Sequence, residues 1–332
     1  MGSLGEGALD KQYAKAGETN YGDWRDDFYR DGYAVVKCCI PEEKAKHYQS
    51  KALDWLQSFN LGFDPKDEST WSKAHLPEAF KGGMYLNYAV THEKFMWDAR
   101  SEPGVIEPFA KLWGTDELVV SFDGLNITLP RQKDLEFSPW PHCDQNPKRK
   151  ELACAQGIIQ LSKNGPKDGG LIVMKGSAKL FAEFFSEPRK MNFDDKDKPP
   201  PEFDDLFLFR PEQLKWYEDR GCELVKVCAD PGDVIIWDSR TTHYACFPEG
   251  EEVRTIIYAC YTPAAFGTKE DLERKGEMFK KFEGTTHWPH RNIRPHGKAM
   301  INGEVDPKER DQPLELPEQT KRILRLAAVE AY

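Results

Sequence analysis

His142 and Asp144, in the stretch Trp140-Pro141-His142-Cys143-Asp144, are an imidazole and a carboxylate two residues apart. On an extended backbone they point to the same side and can reach one cation. Eight His and 56 Asp plus Glu in 332 residues give about one such pair by chance, so the pair alone is better read as an ordinary hydrogen-bonded contact. A second stretch, Pro231 to Ala245, strengthens the metal reading. Pro231-Gly232 marks a tight turn, Val234 to Trp237 is an apolar run suited to a buried strand, and His243 follows a polar break. Two imidazoles and one carboxylate on one face of a metal, with open positions opposite, are the donor set of non-haem Fe(II) oxygenases. The candidate metal set is therefore His142, Asp144 and His243. Arg254 comes eleven residues after His243, inside the strand-like run Val253 to Tyr261. That run reads as buried on both faces, so its guanidinium needs an anionic partner, and the far carboxylate of 2-oxoglutarate suits its fork.

These residues need rigid elements to position them. Tyr21 to Arg30 reads as a short helix stopped by Gly32, and Tyr33 to Ile40 as a strand. Pro41 opens a helix to about Phe59, with Glu42 and Glu43 at its positive end. Tyr48, Ala52, Leu56 and Phe59 form its apolar stripe, expected to pack on a barrel. Residues 60–90 are irregular and aromatic, a packed loop or a wall of the substrate pocket. His92 to Asp98 and Gly104 to Trp113 read as helices and Leu118 to Leu129 as a strand. Cys154 to Leu161 and Gly170 to Met174 read as strands, and Ala178 to Phe185 and Pro211 to Asp219 as helices. Residues 187–205 are charged and contain Pro199-Pro200-Pro201, a solvated loop that could act as a flap. From about residue 267 the chain reads as a helical C-terminal extension. It holds His287, His290 and His296, whose spacing, broken by Pro289 and Pro295, matches no known ligand set; a structural or solvent-facing role is expected.

The order His-x-Asp, a long gap, Pro-Gly-Asp before a strand, then His and an Arg eleven residues on resembles the phytanoyl-CoA dioxygenase family. Gly169-Gly170-Leu171-Ile172-Val173-Met174-Lys175-Gly176-Ser177-Ala178 resembles that family's Asn-Gly-x-x-x-x-x-Gly-Ser-His segment, with Gly169 in place of Asn and Ala178 in place of His. The resemblance covers roughly residues 25–265 and points to small-molecule oxygenases of fungal specialised metabolism. It implies a mainly β fold with flanking helices around a double-stranded β-helix (jelly-roll, cupin-like) core, holding Fe(II) and using 2-oxoglutarate and O2 as cosubstrates. It further implies that Arg254 pairs with the distal carboxylate of 2-oxoglutarate, that an amide on the 118–129 strand, Asn126, bonds the cosubstrate, and that Gln160 lies near it. Related halogenases keep the carboxylate position small to admit halide, so Asp144 implies hydroxylation, desaturation or ring closure.

Composition narrows the partners. The net charge of −10 argues against nucleic-acid or anionic-membrane surfaces, and no obvious run of Lys and Arg offers a pocket for an acyl-CoA. The eight Cys form no Cys-x-x-Cys and read as reduced, mostly buried thiols of a cytoplasmic protein, with Cys143 turned away from the metal. No stretch is long and apolar enough to span a membrane, and the N-terminus lacks an apolar leader. Residues 1–20 are expected to be a mobile arm and 21–332 one oxygenase domain, monomeric or homodimeric.

The expected function is oxidation of an unactivated C–H bond of a small molecule, with release of succinate and CO2. The alternatives are a non-enzymatic ligand-binding barrel of the same fold, an acyl-CoA 2-hydroxylase, and a hydrolase or isomerase using the same ligands on Zn(II) or Mn(II).

Overall fold

Asp23 accepts a hydrogen bond from the Arg25 amide and opens helix α1 (Trp24–Asp31), and Gly32, at φ 85°, closes it with its N–H on the Phe28 carbonyl. The chain then enters strand β1 (Tyr33–Val36). The computed structural model describes residues 19–132, 134–135, 137–186, 201 and 204–332. Residues 1–18 of the expected arm 1–20 and most of the expected flap 187–205 therefore lie outside the described residues.

Two antiparallel sheets carry the core. The larger contains β1, β2 (Met84–Tyr85), β4 (Leu125–Thr128), β6 (Ala155–Gln160), β10 (Val234–Asp238) and β12 (Arg254–Tyr258), in the order β1-β10-β6-β12-β4-β2. The smaller contains β5 (His142–Cys143), β7 (Gly170–Lys175), β8 (Phe207–Leu208), β9 (Glu223–Lys226) and β11 (His243–Cys246), in the order β8-β5-β11-β7-β9. The chain steps between sheets through β4, β5, β6 and β7, pairs β9 with β7, and steps back through β10, β11 and β12. That alternation is the double-stranded β-helix, the jelly roll expected from the sequence.

Residue alternation explains why β6, β10 and β12 are buried along nearly their whole length. Ile158, Ile235, Trp237 and Ile256 face inward and pack with Leu171 and Val173 of the smaller sheet. Their neighbours Ile159, Ile236 and Ile257 face outward into the largest apolar cluster, under α2 (Glu42–Gln57), α3 (Lys94–Arg100) and α4 (Pro103–Trp113). Tyr48, Ala52, Leu56 and Phe59 are all buried there, so the stripe read from the sequence is core. Truncating Leu56 to Ala would cost roughly 2–5 kcal/mol. The smaller sheet is covered by α5 (Ser177–Ser186) and α6 (Pro211–Glu218), through Met174, Phe181, Phe184, Phe207 and Trp216. In the tail, α7 (Lys269–Lys280) and α8 (Lys321–Leu326) add Met278, Phe279, Ile323 and Leu326 to the main cluster.

Some boundaries differ from expectation. The single strand expected over Leu118 to Leu129 is two: β3 (Leu118–Val120) pairs with β13 (Tyr261–Pro263), and β4 joins the larger sheet. The break falls at Ser121 to Gly124, where Gly124 packs so close to the Tyr85 carbonyl that a Cβ would stand 2.5 Å from it. Strand β1 ends at Val36 instead of Ile40, because the backbone turns and Cys38 takes φ 57°. Cys38 and Cys228 are exposed, unlike the buried Cys143, Cys154, Cys222 and Cys260.

Candidate metal centre

His142 on β5 and His243 on β11 are direct cross-strand partners. Register therefore brings together two imidazoles 101 positions apart in the sequence, with ring centroids 4.3 Å apart. Asp144, just past β5, is anchored by its amide on the Ser239 carbonyl at 3.0 Å. Its Oδ2 lies 3.5 Å from His142 Nε2 and 3.2 Å from His243 Nε2. One donor atom from each residue falls within 4.8 Å of the others, and all three residues are buried. Among the described residues no other cluster of His, Cys, Asp or Glu has this geometry.

The ring tautomers follow from the second contact each imidazole makes. His142 Nδ1 lies 2.8 Å from the Trp140 carbonyl and His243 Nδ1 2.9 Å from the Thr241 carbonyl. A carbonyl only accepts, so each Nδ1 carries the proton and each Nε2 presents a lone pair to the cation. The Thr241 turn is itself pinned, since its hydroxyl donates to the Gly32 carbonyl at 2.9 Å. A Cβ on Gly32 would meet that hydroxyl oxygen at 2.5 Å. Trp140 stacks on His142 with centroids 4.0 Å apart, and Lys81 Nζ sits 4.4 Å above the Trp140 ring.

Burial by itself would raise the Asp144 pKa, but the neighbouring His142 and His287 imidazoles outweigh it and hold the carboxyl well below its ordinary value. Burial, reinforced by His142, pushes His243 down. An ionised carboxylate beside a neutral imidazole is the state that binds a divalent metal. The donor set, three ligands of mixed N and O on one side of a cavity, fits a non-haem Fe(II).

That cavity, about 320 Å³, lies between the sheets and is walled by residues drawn from Phe80 to His296. Arg254 lines it, fully buried, with Nη1 donating to Asn126 Oδ1 at 2.6 Å and Nε without a partner. The carboxylates of the Pro231 to Ala245 stretch are taken elsewhere: Asp233 pairs with Lys37 and Asp238 with Arg240. Asn126 lines the cavity too. Its Nδ2 donates to the Gly82 carbonyl at 3.0 Å and its Oδ1 also accepts from the Thr128 hydroxyl at 2.8 Å, so it orients the guanidinium. Gln160 does not line the cavity; it is buried deeper along β6, with Nε2 on the Ser162 carbonyl at 2.7 Å. The β6 amide that reaches the site is Gln156, whose Nε2 donates to Asp144 Oδ2 at 2.8 Å. Cys143 points away, into the apolar cluster beneath α5 and α6.

The sequence reading missed the tail. His287 and His296, expected to be structural or solvent-facing, both line the cavity, and each has a buried Nε2 with no partner. His290 is buried, with Nδ1 2.9 Å from the Thr262 hydroxyl. Of the aromatic loop, Phe80 and Met84 line the cavity, while Trp71, Tyr85 and Tyr88 are core. A basic pocket also exists away from the metal: Lys148, Arg149, Lys150 and Arg291 line a separate cavity of about 260 Å³.

A jelly roll with a buried two-His, one-carboxylate face defines a metalloprotein of the non-haem iron type. The chain belongs to the phytanoyl-CoA dioxygenase (PhyH) family, whose model matches residues 28–248. It is 50% identical over 276 residues to the Ava biosynthesis cluster protein O of Aspergillus versicolor, covering 82% of this chain and 87% of that one. Among solved structures, a hypothetical protein from Escherichia coli shares the fold at 16% identity and a TM-score of 0.57, over 86% of this chain and 82% of that one. The epimerase SnoN, solved in complex with Fe3+, alpha ketoglutarate and nogalamycin RO, shares it at 16% identity and a TM-score of 0.50, over 90% of this chain and 95% of that one. Among the described residues no helix is long and apolar enough to cross a membrane.

Proposed function

We propose that this chain is an Fe(II)/2-oxoglutarate-dependent oxygenase that oxidises a C–H bond of a small molecule in a biosynthetic pathway. The observation that carries the reading is the buried Arg254, which shares one cavity with the triad and has no carboxylate partner among the described residues. A buried guanidinium is costly without an anion, and burial already pulls its pKa down. A dicarboxylate chelating the metal at one end and pairing with Arg254 at the other satisfies both groups. The Aspergillus relative, named for a biosynthesis cluster, supports the pathway setting.

His142, Asp144 and His243 would hold the metal, at the edge of the cavity. When bound there, Fe(II) would activate O2, the oxidant, with 2-oxoglutarate as the two-electron co-reductant leaving as succinate and CO2, and so supply the hydrogen removal. The chain does the rest. The Trp140 and Thr241 carbonyls hold the proton of each neutral ring on Nδ1, so that both Nε2 atoms face the cation site. Gln156 fixes the Asp144 carboxylate and Asn126 fixes Arg254. Trp140 and Trp237 screen the imidazoles from water, with Trp237 5.3 Å from His243. Such preorganisation is what the protein contributes when a cofactor carries the chemistry.

The test is succinate production from 2-oxoglutarate by the pure chain with Fe(II), ascorbate and air. Slow succinate formation that stops without Fe(II), and accelerates with one compound of a metabolite panel, is expected. No succinate under any condition, with no iron retained, would overturn the reading in favour of a ligand-binding barrel.

A further inference from the structure

The tail turns back to form one wall of the metal cavity. Thr285 pairs with Pro295 as an isolated bridge, the Thr285 amide donates to the Phe122 carbonyl at 2.8 Å, and the His296 amide donates to the Gly284 carbonyl at 3.0 Å. The loop closed by this bridge places His287 and His296 in the cavity. The His296 ring also bonds the Thr285 backbone. The amide of Thr285 is already spent on Phe122, so the ring partner is the Thr285 carbonyl, and the imidazole must donate to it. The remaining nitrogen, the buried and unpartnered Nε2, is then a bare lone pair. Burial keeps the ring neutral, so this nitrogen stays an acceptor. Asp123 lines the same wall; its Oδ1 accepts from the Gly124 amide at 2.7 Å, and its carboxylate can accept further bonds. The lining also offers the apolar side chains Phe80, Met84, Leu86, Leu135 and Phe137, with Thr286 and Asn292 as further polar groups on the tail. The cationic groups on the lining are Lys81, held over Trp140; Arg254, held by Asn126; and Arg294, which is exposed.

We infer that His296, with Asp123 beside it, is the substrate-recognition edge of the cavity, and that the substrate is a largely apolar molecule presenting an N–H or O–H donor to that edge. A buried acceptor left unmatched costs free energy, so the site discriminates against analogues whose donor is capped. His287, nearer the metal carboxylate, is the second polar contact on the same wall. The inference rests on the proposed function only in taking this cavity as the substrate site.

Quinolin-2(1H)-one and its N-methyl derivative are a matched probe pair that differs only in the donor. Saturation-transfer NMR on the full chain, metal-free in one arm and with Zn(II) plus 2-oxoglutarate in the other, measures both affinities. The parent lactam should bind on the order of tenfold more tightly than the methylated one, the ratio for one buried hydrogen bond. The gap should vanish in His296→Leu and persist in part in His296→Gln, whose side-chain carbonyl is still an acceptor. Thermal melting verifies that both variants fold. Equal affinities in the unsubstituted chain, no binding of either probe, or a gap that survives in His296→Leu would overturn the inference. The binding readout is independent of the succinate assay. A donor gap without succinate production overturns the oxygenase reading alone, and succinate production without a gap overturns only this one.

Discussion

Gly170 lies directly against the guanidinium of Arg254: a Cβ at that glycine would stand 2.7 Å from Nε. Its φ of 131° is also outside the range that L side chains readily adopt. Gly170→Ala should therefore displace the Arg254 head while leaving the triad intact. The expected outcome is at least about a tenfold rise in the 2-oxoglutarate concentration needed for half-maximal succinate formation, equivalent to about 1.4 kcal/mol. Iron content should be unchanged.

Asn126 acts on the same group from the other side, through the 2.6 Å bond from Arg254 Nη1. Removing the amide in Asn126→Ala strips a partner from a buried cation, costing about 1–3 kcal/mol of stability. Cosubstrate affinity should fall with it. Arg254→Met should lose cosubstrate affinity more severely and iron affinity hardly at all, as measured by parallel titrations of the two ligands.

Gln156 and Gln160 provide an internal contrast on one strand. Gln156→Leu removes the bond to Asp144 Oδ2. It should weaken iron binding by about 10–100-fold, the usual effect of losing a partner of a metal ligand. Gln160→Leu touches neither the triad nor Arg254, so iron and cosubstrate titrations should match those of the unsubstituted chain.

That contrast also marks the limit of sequence reading. Gln156 and Gln160 are four residues apart on a strand and face the same way, so alternation identifies the face but not the depth along the barrel. His142, Asp144 and His243 were legible because a dipeptide spacing and a turn–strand–break pattern are local. The jelly roll was legible through the family resemblance those motifs carry. The wall formed by His287 and His296 was not legible, because it depends on the pairing of Thr285 with Pro295 and on Phe122, more than 160 positions upstream. The split of Leu118 to Leu129 into two strands likewise turns on a backbone contact between Gly124 and Tyr85.

Asp144→Ala leaves two imidazoles to hold the metal and removes the one anionic ligand. Iron retention after desalting should drop to background and succinate formation should cease, while the fold persists, since the triad lies at the cavity edge of well-packed sheets. His142→Ala should behave alike. Metal analysis together with a melting curve tests both statements, and full iron content in either variant would remove these residues from the site.

Buried neutral histidines set an acid limit on stability. His92 is fully buried, with Nε2 3.0 Å from the Glu283 carbonyl and Nδ1 accepting from Trp97 Nε1 at 3.2 Å. Burial lowers its pKa from 6.5 to about 3. Below pH 6.5 the unfolded chain binds a proton there that the folded chain refuses, so stability falls with pH from about 6.5 down to about 3. The slope approaches about 1.4 kcal/mol per pH unit for this one group. Urea unfolding at pH 7.5 and 5.5 should show the loss, and His92→Gln should flatten it, whatever its effect on absolute stability.

The family match ends at residue 248, whereas one wall of the cavity is built from residues 284–296. His287 and His296 thus lie outside the stretch that carries the three metal-ligand candidates, although Asp123 lies within it. Mutations in the tail can change which molecule is admitted while the metal ligands stay as they are. New specificities can then arise by drift in a short C-terminal loop, without passing through a form that has lost its metal.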